Sequence, residues 1–431
     1  MSDIKRIMAF GKEYFDERCD RDIERFRKGD FKISVTQNGK PQDAKVSYKL
    51  KKHDFEFGCN LFMLQQYEDE TAQKTYEELW LKVFNTGVVP LYWEGTEPTQ
   101  GHLRYETSAP NDMYRRPPAE MVVEWCEKNG VKPKGHPLFW QEFIPNWLPN
   151  DWDELLPLIE KRFQEISTLF KTRVPVFDVV NEPSRLFDQR FEIVAEGFKR
   201  IQPPFGYIEQ IFELAKKYFP ENQFILNEAV GSALCEFRGP YGAYYQMLDR
   251  LIKQGVKIDR IGLQCHCYDI DTFKNIYNAK RLYGVLDGYA ELGRPLVMSE
   301  IGISCEDEQI QAEATEQLYK VCFSHPAMSG IFWWNLDDNG ILTQKSREAL
   351  GENLPSSGIV RNGVPKKAYE VLDRLINHEW HTEGEARLQN GEADFRGFYG
   401  TYDITVTVGD VVTTVTAEFL KDGENCVEIM I

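Results

Sequence analysis

Between residues 55 and 378, short apolar runs alternate with longer amphipathic segments, and the cycle repeats eight times. The runs are FEFGCNLF (55–62), FNTGVVPLYW (84–93), KPKGHPLFW (132–140), PVFDVVNE (175–182), QFILNE (223–228), IDRIGLQCH (258–266), RPLVMSE (294–300) and GIFWWN (330–335). Four of the intervening segments carry the spacing of helices: 70–84, 117–130, 153–170 and 206–219. In the last, Ile208, Ile211, Phe212, Ala215 and Phe219 recur at intervals of three and four, which marks one buried face. Eight strand–helix units predict a (β/α)8 TIM barrel over 55–378, since a doubly wound open sheet normally uses fewer.

The flanks have a different texture. FKISVTQNGKPQDAKVSYKL (31–50) alternates apolar and polar residues around Asn38-Gly39, a hairpin signature. ADFRGFYGTYDITVTVGDVVTTVTAEFL (393–420) is rich in Thr, Val, Tyr and Phe, with Gly at the turns. Neither flank suffices for a sandwich alone. The expectation is therefore one small accessory β-sandwich built from both ends. Residues 1–54 contribute an N-terminal helix and strands, and residues 379–431 complete it.

Charge narrows the partners. Fifty-one Lys and Arg against 68 Asp and Glu leave a formal charge of −17, without a basic block. Such a chain repels phosphates, so nucleic acid and membrane surfaces are not expected partners, whereas carbohydrate is. The amino terminus MSDIKRIMAFGKEYFDERCDRD has no apolar core followed by small residues, and the nine Cys are scattered. A cytoplasmic location with reduced thiols is expected. No cofactor motif is present, and the oligomeric state is left open.

The ends of the apolar runs hold residues that packing does not ask for. They are Trp93 and Glu94, His136, Trp140 and Gln141, Asn181 and Glu182, Asn227 and Glu228, Gln264 and His266, Glu300, Trp333 and Asn335. In a barrel, carboxyl ends of strands face the active site. Glu182 and Glu300 end the fourth and seventh runs, which lie across the ring from each other. Two carboxylates facing across such a mouth can sit about 5–5.5 Å apart, as a retaining glycosidase requires. Along IGLQCHC, alternation puts Gln264 and His266 on one face and Cys265 and Cys267 on the other, which splits any Cys-His-Cys metal set. By the same counting Asp178, Val180 and Glu182 share the inner face. Glu228 reads as support for the site, and Arg115 and Arg116 as surface charge that could cap the cleft.

Several stretches resemble family 10 glycoside hydrolases, the group that contains endo-β-1,4-xylanases. DVVNEP (178–183) looks like the family's acid/base motif, and GHPLFWQEFIPNWL (135–148) is similar to its third-strand segment GHTLVWHSQ-x-P-x-W. LVMSEIGIS (296–304) resembles its nucleophile strand, IGLQCH its Gln-x-His, FILNE (224–228) its Asn-bearing strand and FWWN (332–335) its last strand, all in order over about 320 residues. The resemblance implies double displacement on a xylan-type polysaccharide or oligosaccharide, with no metal. Glu300 would be the nucleophile and Glu182 the acid/base. Asn181 would bind the sugar 2-hydroxyl, and His266 with Gln264 would orient Glu300. His136, Gln141 and Asn227 would line the substrate site, and Trp93, Trp140, Trp147, Trp333 and Trp334 would offer stacking faces. Two departures stand out: VVPLYWEGTEP (88–98) replaces the family's P-E-N-x-M-K-W, and Gln141 stands where a His is usual. A different β-linked sugar, or carbohydrate binding without catalysis, are the alternatives.

Overall fold

A computed structural model describes residues 3–67, 69–187, 199–267, 270, 274–338 and 357–431. Eight parallel strands close into a barrel: Glu56–Asn60, Thr86–Pro90, Lys132–His136, Val176–Asn181, Gln223–Glu228, Arg260–Cys267, Leu296–Ile303 and Met328–Trp333. All eight predicted runs are barrel strands. Helices return the chain outside them, and the four predicted segments appear as Glu70–Val83, Ala119–Lys128, Trp152–Phe170 and Tyr207–Tyr218. Asp69, Asp151 and Asp307 start helices by accepting backbone N–H groups of the first turn. No helix among the described residues is long and apolar enough to cross a membrane.

Most apolar burial lies between strands and helices, where Trp80, Phe163, Ile211 and Leu318 are fully enclosed. A second, smaller apolar cluster fills the barrel itself: Val88, Val176, Ile225, Val297 and Phe332, topped by Phe62, Tyr92 and Trp334. Below this plug, Glu56 accepts from Lys132 (2.5 Å) and Arg260 (2.7 Å). These three are the first residues of their strands, so they form the floor of the barrel. Burial alone would raise the Glu56 carboxyl, but Arg260 and Lys132 outweigh it and hold it below its usual value.

Both ends of the chain enter the accessory β-domain. One sheet orders Glu392–Phe398, Lys28–Gln37 and Cys426–Met430, with Lys40–Pro41 alongside Lys28–Gln37. The other orders Glu383–Arg387, Lys45–His53, Gly400–Val408 and Val411–Phe419. The sheets share a core in which Phe31 stacks on Phe419 (4.4 Å) and Tyr48 on Phe395 (3.9 Å). The first helices, Asp3–Ala9 and Lys12–Phe26, pack on the barrel instead, where Phe15 stacks on Tyr283.

The fourth and seventh barrel strands break their alternation, as the eighth does at Ser329. Register slips between Asp178 and Val180, and again between Met298 and Glu300. In these two one residue is inserted, as a β-bulge does: Val179, three residues before Glu182, and Ser299, directly before Glu300. The expected shared face of Asp178, Val180 and Glu182 is therefore corrected: Val179 and Val180 both join the outer core, while Asp178 and Asn181 bond inside the barrel.

Candidate active site

The bulge in the seventh strand brings two consecutive polar residues, Ser299 and Glu300, to bear on the same interior amide. Ser299 Oγ donates to Asn227 Oδ1 (2.5 Å), and Asn227 Nδ2 donates to Glu300 Oε1 (2.7 Å) and to Asn181 Oδ1 (2.9 Å). Gln264 Nε2 donates to the same Glu300 oxygen at 3.1 Å, and His266 Nε2 lies 2.9 Å from Oε2. Glu300 is thus a buried carboxylate held on both oxygens by groups from the fifth and sixth strands. Such a grip sets the direction in which its lone pairs point. Gly262 makes room for it, because a Cβ there would lie 2.6 Å from Asn227 Oδ1. As expected from their spacing, Gln264 and His266 face inward while Cys265 and Cys267 lie in the outer core, sulfurs 3.9 Å apart.

Across the ring, Glu182 follows the fourth strand with a φ of +49°, in the left-handed region that a non-glycine residue rarely occupies. Its N–H still pairs with Asn227 O (2.8 Å), and its carbonyl accepts from Gln141 Nε2 (2.8 Å). The left-handed turn is therefore gripped from the loop after the third strand and from the fifth strand. Pro183 then removes the next backbone donor. Arg185 Nη1 reaches Glu182 Oε2 at 2.5 Å, and its other arm lies 3.4 Å from Glu142.

A buried charged chain backs the site. Lys134 and Asp178 are both fully enclosed and form an ion pair, and His136 Nδ1 lies 2.7 Å from the same Asp178 oxygen. Burial would raise the Asp178 carboxyl, yet Lys134 and then His136 hold it low. With Nδ1 turned to Asp178, His136 presents Nε2 to Glu300 Oε1 at 3.9 Å. The ring also stands edge-on to Tyr92 and Trp334.

Three expected substrate contacts are placed elsewhere. Trp93 lies in the outer core and donates to Glu97 Oε2 (3.1 Å), and Trp333 is fully buried there with its N–H on Ser357 O (3.1 Å). Of the other expected stacking residues, Trp334 reaches the barrel mouth beside Tyr92, while Trp147 is half-buried edge-on to Trp93 with its N–H on Glu97 O (3.0 Å). Gln141 is fully buried, and it holds the Glu182 backbone as described above. Trp140 is half-buried against Phe143 (4.8 Å) and beneath Arg185, which leaves it as the aromatic face beside Glu182. Arg115 and Arg116 are not surface charge: Arg116 bonds the buried Glu94 (2.8 Å) and stacks on Tyr92 (3.8 Å), while Arg115 covers Phe62. Sequence reading passed over Lys134 and Ser299, whose roles come from cross-strand contacts, and Arg185, which reaches Glu182 from the turn just after the fourth strand.

Glu228 supports Glu182 from behind. Its carboxyl accepts from Ser184 N (3.1 Å) and Ala229 N (2.7 Å), and burial pushes it up to about 7. Between its unfolded value near 4.5 and about 7, the folded state keeps a proton that the unfolded chain has lost. Glu228 should thus lower stability as pH rises through that window, by about 3 kcal/mol at most. Unfolding midpoints of the wild type and Glu228→Gln, followed from pH 5 to 8, are expected to converge at the acid end. Parallel curves would remove Glu228 from that slope.

Glutamates at the ends of the fourth and seventh strands of a closed parallel barrel, set among amides, imidazoles and indoles, place the chain with the barrel-type glycoside hydrolases. The family description "Glycosyl hydrolase family 10" matches residues 51–372, and the chain belongs to that family. Endo-1,4-beta-xylanase B of Thermotoga neapolitana is 30% identical over 288 residues, covering 64% of this chain and 79% of that protein. Anti-sigma-I factor RsgI6 of Acetivibrio thermocellus is 26% identical over 93% of this chain and 48% of its own length. Endo-1,4-beta-xylanase 2 of Arabidopsis thaliana is 23% identical over 96% of this chain and 35% of its own. The chain thus spans about half or less of these last two relatives. Among solved structures, xylanase 10B from Thermotoga petrophila in complex with xylobiose superposes with a TM-score of 0.56 at 23% identity. It covers 75% of this chain and 94% of that one.

Proposed function

We propose that the protein cleaves β-glycosidic bonds of a xylan-type polysaccharide or oligosaccharide by double displacement. The observation that carries this reading is the grip on Glu300: both of its oxygens are fixed by Asn227, Gln264 and His266, and Asn227 is shared with the strand that leads to Glu182. Glu300 attacks the anomeric carbon, the C–O bond to the leaving sugar breaks, and Glu182 passes its proton to that oxygen. Water then attacks the glycosyl-enzyme ester, giving its proton back to Glu182 and freeing Glu300. Arg185 takes Glu182 Oε2, so Oε1 is the oxygen available for the transfer. Asn181 Oδ1 is committed to Asn227 and Gln264, which leaves its Nδ2 for the sugar 2-hydroxyl. The xylan assignment draws on the named xylanases among the relatives.

Carbohydrate binding without turnover is the second reading. The Arg185–Glu182 ion pair favours it, because it occupies the group that must deliver the proton. One experiment separates the two. Xylohexaose, and matched gluco- and galacto-oligosaccharides, are incubated with the protein and the first-formed product is followed by proton NMR. The β-anomer of a xylose product is expected first, later mutarotating. Binding without products would support the second reading, and an α-anomer formed first would refute double displacement. Glu182→Gln is expected to slow hydrolysis of xylohexaose by about 10²–10⁴-fold. It should spare most activity on an aryl β-xyloside with a good leaving group, which needs little protonation. Equal losses on both would remove Glu182 from the acid role.

A further inference from the structure

At the end of the barrel opposite the glutamates, a cavity of about 450 Å³ opens between the barrel floor and the β-domain. Glu56, Lys132 and Arg260 line it from the floor, where two cations already share one carboxylate. Arg27, Arg294 and Lys421 add three more cations. Among the described residues, none of these three pairs with a carboxylate. Arg27 donates to the carbonyls of Phe323 (2.5 Å), His325 (2.6 Å) and Met328 (2.9 Å). Arg294 donates to those of Ile258 (2.8 Å) and Gly293 (3.2 Å), and Lys421 reaches only Pro326 O at 3.5 Å.

The remaining acidic groups on the wall are Asp54 and Asp422. Five cations therefore face three carboxylates, a local surplus of positive charge in a chain whose formal charge is −17. His53 also lines the cavity, is nine-tenths buried, and its Nε2 has no partner among the described residues. Burial pushes its imidazole down to about 4, so near neutral pH the ring is uncharged. Burial also pushes the Arg27 guanidinium down to about 9, with only partial relief from Asp54, and lowers the Lys421 ammonium, which Arg27 lowers further. The buried Arg27 guanidinium, which pairs with no carboxylate among the described residues, is costly to keep, and a bound anion would relieve that cost. The half-buried Arg294 and the exposed Lys421 reach the cavity from its solvent side.

We propose that this cavity binds a small dianion of the phosphate or dicarboxylate kind, held between Arg294 of the barrel and Lys421 of the β-domain. The planar fork of Arg294 and the point charge of Lys421 suit two oxygens of one such ligand. Because the two residues belong to different layers of the molecule, the ligand would join them. It would also lie far from Glu182 and Glu300, so it is not a product or substrate of the chemistry described above.

Titration calorimetry at pH 7, at matched ionic strength, tests this with three probes: inorganic phosphate, a hexose 6-phosphate and succinate. Saturable one-site binding by at least one is expected, with an unfolding midpoint that rises with its concentration. The probe that binds best identifies the phosphate or the carboxylate source. Arg294→Met and Lys421→Met should each weaken that binding at least about tenfold, as expected for loss of one charge-assisted bond. They should leave hydrolysis of an aryl β-xyloside unchanged. Asp422→Asn, on an exposed side chain, should tighten binding and guards against variants that merely fold poorly. No saturable heat from any probe, or binding that all three substitutions leave unchanged, would overturn the proposal.

Discussion

Glu300→Ala is expected to lower kcat/KM on an aryl β-xyloside by about 10⁵-fold, in the range seen when a covalent nucleophile is removed. Sodium azide should then restore turnover, because a small anion can enter the space the carboxylate leaves. The rescued product should be the α-glycosyl azide, since azide attacks from the side that Glu300 occupied. In Glu182→Ala, azide would instead enter from the opposite side after the ester has formed and give the β-azide. Each glutamate thus carries its own stereochemical signature. Residual activity above about one-hundredth of wild type in Glu300→Ala, or a β-azide from it, would break the assignment. Near-ultraviolet circular dichroism should stay unchanged, since Asn227 and Gln264 keep their hydrogen bonds to Asn181.

The second large effect is on stability. Lys134→Met leaves Asp178 fully enclosed with its charge opposed only by His136, and is expected to cost about 3–5 kcal/mol. Adding Asp178→Leu to it should recover most of that loss, because a buried ion pair contributes little net stability once both members are apolar. Activity should not follow stability. In the double variant His136 has lost the acceptor that turns its Nδ1 away from the site, so kcat should stay low while the unfolding midpoint returns. Urea unfolding and kinetics on the same samples check this. If Lys134→Met unfolds within about 1 kcal/mol of wild type, the pair is not the buried charge chain described here.

The barrel was readable because eight apolar runs separated by amphipathic helices leave few other architectures. The polar residues at the run ends, including Asn227, Gln264, His266 and Glu300, were readable for the same reason: nothing in packing asks for them. What escaped was register. Counting by twos along VFDVVNEP puts Glu182 inward from Asp178, but the bulge at Asp178/Val180 cancels that count, and the direction of Glu182 comes from its left-handed turn. Trp93 and Trp333 read as stacking faces because each ends an apolar run, yet Trp93 opens the helical turn Trp93–Thr96 and Trp333 faces the outer core, which leaves Tyr92 and Trp334 at the barrel mouth. Lys134 carried no such clue. A lysine between Pro133 and Gly135 reads as solvent-exposed until a strand from elsewhere in the chain sets Asp178 beside it.

The pairing of the two ends has a mechanical side. Lys28–Gln37 and Cys426–Met430 run parallel, Lys32 opposite Cys426 through Thr36 opposite Met430. Tension drawn along the chain through Lys28 at one side and Met430 at the other pulls these strands past each other, so the ladder's hydrogen bonds bear the load together. In an antiparallel arrangement the same pull would part them one after another. The barrel therefore hangs inside a clasp that resists sliding, and a force on the ends must break the clasp before it reaches the strands that carry Glu182 and Glu300.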